Sequence, residues 1–150
     1  MKESPENKKL EEFLRSSKMV AGGFMGRDLR SVYEIIESDQ AEVSRLGFTI
    51  EQIAKRMQEI TDAAIPSLGG SVKIDGKLAV QVDEAKGHLV CPWPHAGRFV
   101  KRVTTAEVIE SGQIIKWSDL NIHLIGEHGF FEGKGAAFRL EPGELTNVIF

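Results

Sequence analysis

Between Phe48 and Pro66, apolar side chains return every third or fourth position, at Ile50, Ile53, Ala54, Met57, Ile60 and Ala64. Glu51, Lys55, Arg56, Gln58 and Glu59 fall between them, so the spacing predicts a helix with one apolar face. Thr49 and Gln52 have the form of a capping box, and Phe48 with Ile53 the spacing of a hydrophobic staple. Pro66 and the Gly69, Gly70 pair end this helix. Upstream, Leu29, Val32, Tyr33 and Ile36 repeat at helical spacing after Asp28, a natural N-cap. Asp39 falls on the same stripe, and capping of a second helix, with Glu42 three residues on, is preferred to a buried functional carboxylate. Leu10, Phe13 and Leu14 form a shorter apolar face that the glycines of 22–26 interrupt.

From residue 71 the period changes to two. VKIDGKLAVQV carries Asp75 and Gly76 between two alternating runs, the signature of a hairpin with a type I′ turn. A third run, HLV, meets CPWP, whose prolines preclude a regular central strand. FVKRVTTAEVIESGQIIKW predicts a second hairpin turning at Ser111 and Gly112. Ser118 as cap and Gly129 as stop favour a helix between them, although Leu120, Ile122 and Leu124 also alternate as a strand would. AAFRL is expected to be a short strand, and Pro142 to open a C-terminal helix. The fold class expected is therefore α+β: helical over 28–66, β-rich over 71–150, with an antiparallel sheet of about four or five strands and one or two C-terminal helices.

At 150 residues and 41% hydrophobic content, the chain suffices for one core and is short for two, so a single domain over 1–150 is expected, flexible only within 1–25. The charged N-terminal stretch and the lack of a long apolar run point to a cytoplasmic protein with no membrane segment. One cysteine cannot make an internal disulfide. A net charge of −3 removes the global basic footprint that nucleic-acid binding requires.

All the histidines and the single cysteine lie in the second half, and Cys91, His95, His123 and His128 are the candidate site residues. Zinc takes thiolate and imidazole ligands as close pairs, one on a turn and one on a helix. Cys91 and His95 bracket a proline-stiffened turn, and His123 and His128 share the proposed helix. Two features depart from a zinc finger: segment 96–122 is more than twice a finger's length, and histidine stands for the second cysteine. A helical separation of five also sets side chains about 140° apart, so both could face one ion only where the helix ends near His128. Packing is therefore the preferred expectation, with Cys91 as a small apolar filler and no cofactor, and zinc the alternative. A separation above about 6 Å from Cys91 would exclude a shared ion.

Other chemistry is weaker. No GxSxG elbow is present, so an enzyme would have to use Cys91 or a histidine. GFFEGKGAAF has the glycines and Lys134 of a phosphate loop in the wrong order and is expected to be a turn anchored by Phe130 and Phe131. DQAEVSRLGFTIEQIAKRM resembles a helix-turn-helix, with Gly47 at the turn and Thr49 as cap, but Arg56 stands where that motif is apolar and Glu51 and Glu59 would repel phosphate. CPWP, WSDLNIHLIGEHGFFEGKG and FRLEP resemble a family of small bacterial cytosolic proteins of unknown function. That resemblance implies a bacterial, cytoplasmic protein and brings no activity with it. A binding or interaction protein without catalysis is expected first, with a homo-oligomer or a protein partner, since apolar helix faces and Phe130 and Phe131 offer surface for self-association.

Overall fold

The computed structural model describes residues 4–16, 23–95 and 97–150. It is an α+β fold: α1 (Pro5–Arg15), α2 (Val32–Arg45) and α3 (Ile50–Ala64) precede an antiparallel sheet of β1 (Val72–Ile74), β2 (Leu78–Val90), β3 (Arg98–Val108) and β4 (Ile114–Ser118), followed by α4 (Asp119–His128) and α5 (Pro142–Ile149). The strands lie in chain order, each paired with its neighbour.

Local chemistry explains most boundaries. Thr49 accepts from the Gln52 backbone N–H while the Gln52 side chain accepts from that of Thr49, closing the expected box at the start of α3. Asp75 and Gly76 both have positive φ, at 55° and 64°, and Lys77 N–H donates to Ile74 O across the turn, as a type I′ hairpin demands. β2 and β3 pair from Leu78 with Val108 to Val90 with Arg98, so the HLV run is the far end of one long strand, not a third strand. A bulge between Glu84 and His88, with Gly87 at φ 99°, lets the strand continue past the run of exposed polar residues that masked its continuity. Residues 136–140 form turns instead of the expected strand, because their N–H groups bond locally, Ala136 to Gly133 O and Arg139 to Ala136 O.

The second helix departs from expectation. Its N-cap is Ser31, in a box with Glu34, while Asp28 is buried and bound to Arg30 and to the Lys134 N–H. Leu29 is 94% exposed, and the buried stripe is Val32, Ile35, Asp39 and Val43. Asp39 therefore caps nothing. It sits inside a continuous helix, its carboxylate held by Arg139. Within 1–25, α1 buries Leu10 and Leu14, and Gly23, Phe24 and Met25 are buried; 1–3 and 17–22 lie outside the described residues.

Two apolar clusters form. In one, α3, α4 and α5 cover the sheet face that carries Val80, Ala106, Ile115 and Trp117. The other joins α1, Phe24, Met25 and α2 to Cys91 and Phe130. Helix α4 belongs to both, giving Ile122 and Ile125 to the first and Leu120 and Leu124 to the second. A helix buried on two sides carries apolar residues nearly all round, which is why its sequence imitates a strand. Two glycine-bearing loops lock together beside it: a Cβ on Gly26 would lie 2.2 Å from Ala136 N, and one on Gly133 would lie 2.2 Å from Met25 O.

Candidate metal centre

Strand β2 ends at Val90, and Pro92 and Pro94, which have no N–H to give a ladder, turn the chain so that Cys91 points inward. Cys91 is buried against the second cluster, and a backbone bond from His95 N–H to Trp93 O tightens the turn and brings His95 back over it. On the facing side, Ser118 caps α4 in a reciprocal box with Asn121, fixing the rotation of the helix and hence where His123 points. His128 is its final residue. Gly129 follows at φ 65°, and Phe130 N–H reaches back to Leu124 O, a glycine-closed C-terminus.

These elements bring all four candidates together: Cys91, His95, His123 and His128 each offer a ligand atom, and those atoms lie within 4.8 Å of one another. His95 Nε2 is 3.1 Å from His123 Nε2 and 3.2 Å from His128 Nε2, and Cys91 Sγ is 3.4 Å from His128 Nε2. The helical offset between His123 and His128 does not keep them apart: the helix stops at His128, and the two rings meet edge to face with centroids 5.3 Å apart. A tetrahedral zinc with bonds of about 2.0–2.3 Å separates its ligands by about 3.3–3.6 Å, close to these spacings.

Aromatic rings hold the imidazoles. Trp93 stacks on His128 at 4.1 Å and meets Phe130 edge-on, and Phe99 lies 4.5 Å from His123. Burial and His95 lower the pKa of His123, and burial with His123 and His95 lowers that of His128 to about 4. Both are therefore neutral near pH 7, the form that donates a lone pair to a metal. Burial raises the Cys91 thiol, against a backbone hydrogen bond from Trp93 that lowers it. Three Nε2 atoms and one thiol pointing at each other satisfy themselves poorly. A neutral imidazole offers either a proton or a lone pair at Nε2, and His95 Nε2 has two like neighbours at once.

The remaining candidates fall differently. His88 is exposed on β2, outside the cluster. Phe130 and Phe131 are fully buried and supply none of the surface expected for self-association. In the segment resembling a helix-turn-helix, Gly47 turns the chain at φ 86°, but Arg56 donates to Ile149 O and pairs with Asp75. Among the described residues no helix is long and apolar enough to cross a membrane.

Two features escaped the sequence. Asp39 and Arg139 form a buried ion pair, which the position of Asp39 on an apolar stripe could have signalled, since a buried carboxylate demands a cation. Glu132, 5% exposed, has φ 67° and accepts from the Asn121 side chain. Burial raises its carboxyl to about 8, against the opposing pull of Asn121 and Arg139. Its place between two buried phenylalanines and a glycine was the available signal.

No family model, curated protein or solved structure matches the chain.

Proposed function

We propose that this is a metal-binding protein in which Cys91 Sγ and the Nε2 atoms of His95, His123 and His128 hold one zinc ion. The observation that carries this is the convergence of four ligand atoms within 4.8 Å from two separate elements. One thiolate with three imidazoles is a borderline donor set suited to a tetrahedral divalent ion, and zinc meets it without a geometric preference of its own. With all four positions filled by protein, the ion has no site for substrate, so its role is to clip the loop after β2 to the end of α4. The protein then acts by binding and not by turnover. DNA does not suit it, because Arg56 of the would-be recognition helix is engaged by Ile149 and Asp75.

The test is metal analysis of untagged protein prepared without chelator. One equivalent of zinc is expected, with a fall in melting temperature on chelation that added zinc reverses, because metal binding energy is folding energy in such sites. Cobalt in its place should give the intense visible bands of tetrahedral coordination and a sulfur charge-transfer band that Cys91→Ser removes. Protein free of stoichiometric metal, indifferent to chelator, would return the four side chains to plain packing.

A further inference from the structure

A cleft of about 500 Å³ reaches the start of α4 and is walled by Phe24, Leu89, Val103, Leu120 and Phe138. That volume is within the range of small-molecule sites, and walls of this kind with few polar groups are their usual lining. Glu132 is the polar group within it that is itself buried. One carboxyl oxygen, Oε2, takes the Asn121 amide, and Oε1 has no hydrogen-bond partner among the described residues. Non-glycine residues rarely hold a φ of 67°, and Gly133 beside it lies so close to Met25 that a Cβ there would sit 2.2 Å from Met25 O. Charges at the lining cancel, Asp83 and Glu84 against Lys101 and Arg102, and Arg102 is already paired with Glu84 and Asp119.

We propose that this cleft binds a neutral, largely apolar small molecule carrying a carbonyl-type oxygen, which accepts a hydrogen bond from the Glu132 side chain. Three observations converge on that class. The walls select apolar bulk. The cancelling charges give no net field to draw in an ion. The buried acid, with one oxygen occupied by an amide donor, has the other left to donate, and the raised pKa keeps it protonated near pH 7. The cleft and the four metal ligands share no residue, so the two sites are separable.

The probe is prodan, a neutral naphthyl ketone whose emission moves to the blue out of water, titrated into the full chain. Saturable blue-shifted binding is expected. Ala85→Trp and Ala137→Trp, at exposed positions on the cleft wall, should weaken it at least about tenfold by filling the space, with the melting temperature unchanged. Glu132→Gln, which still donates through its amide, should bind within a few-fold of the parent, while Glu132→Leu should lose about tenfold, the worth of one hydrogen bond. Absence of saturable binding, or binding that ignores both tryptophan variants, would overturn the site. Glu132→Gln as weak as Glu132→Leu, or tighter binding of a cationic amine analogue, would overturn the proposed ligand class by showing that a carboxylate is required. His95→Ala should leave prodan binding intact, and its loss there would overturn the separation of the two sites.

Discussion

Asp39 and Arg139, 100 residues apart in sequence, meet in two parallel hydrogen bonds of 2.5 and 2.9 Å, with both side chains under a tenth exposed. Arg139 also donates to Glu132 O and to Glu141, so one guanidinium ties α2 to the loop before α5. Asp39→Ala leaves that cation buried without its bidentate partner, and a loss of about 3–5 kcal/mol is expected from urea unfolding. Asp39→Leu with Arg139→Met should recover most of the loss, because no stranded charge remains. A single variant costing under about 1 kcal/mol would mean the pair is solvated in solution.

The metal ligands should differ in how their removal is felt. Zinc binding worth about 10–16 kcal/mol over four ligands implies about 3 kcal/mol each, or roughly 100-fold in affinity per ligand. His95 is exposed on a short loop, so His95→Ala should lose affinity by that amount and leave the metal-free melting temperature unchanged. Cys91→Ala should lower both, since Cys91 is also part of the second cluster. Competition with a chromophoric chelator measures the first quantity and calorimetry the second.

Proton release on metal binding follows from the groups' directions. Burial keeps the Cys91 thiol protonated near pH 7 without metal, while His123 and His128 are already neutral. Zinc should therefore displace about one proton from the thiol and none from those two histidines. Titration calorimetry in buffers of differing ionisation heat counts it, and Cys91→Ser should remove that one proton. In the metal-free protein His128 binds a proton less readily folded than unfolded, so stability should fall as pH drops from about 6.5 towards about 4.

Glu132 has the opposite sign. Its carboxyl is raised from 4.5 to about 8, so folding favours the protonated form; the contribution is fully present below 4.5 and is lost as pH rises through about 8. Other groups set a background from Arg139 beside it and Asp83, Glu84, Lys101 and Arg102 around the cleft, and Glu132→Gln subtracts that background. The variant should gain on the parent between about pH 5 and pH 9 in urea midpoint. Parallel curves for the two proteins would show Glu132 to be ionised throughout.

Under the sheet, the Trp117 indole N–H donates to Thr61 Oγ1 at 2.9 Å, and Thr61 shares a 2.6 Å hydrogen bond with Thr104. Thr61→Val keeps the shape and strands the indole donor in a dry core. A loss of about 1–3 kcal/mol is expected, measured as a lower melting temperature with an unchanged near-ultraviolet spectrum. An unaffected melting temperature would mean that water reaches the indole.

Where the chain's own neighbours decide structure, the sequence was a sufficient guide. The box at Thr49 and Gln52, the turn at Asp75 and Gly76, and the stop at Gly129 all act within a few residues, and all three form. Asp39 was misassigned because its partner lies 100 residues away, and only the fold reveals that the stripe faces an arginine. The continuity of β2 was hidden because its middle, from Asp83 to His88, is exposed on both faces and lacks alternation. The candidate cluster was named residue by residue, but its convergence depends on where α4 ends and how CPWP turns, and spacing carries neither. Glu132 and its cleft were illegible because the cleft is assembled from β2, β3, α4 and two loops.

The locked glycine loops also set a clock. The segment around Met25 finds its closest partners only when Gly133 and Ala136 exist, and Asp28 waits 106 residues for the Lys134 N–H. At about 5–20 residues per second of synthesis, that is roughly 5–20 s. Throughout that interval Leu14, Phe24 and Met25, all fully or almost fully buried in the finished fold, lack the part of their cluster that Leu120, Leu124 and Phe130 supply. The N-terminal cluster is thus completed last, and a Gly133→Ala chain, with a Cβ 2.2 Å from Met25 O, cannot complete it without a shift of backbone.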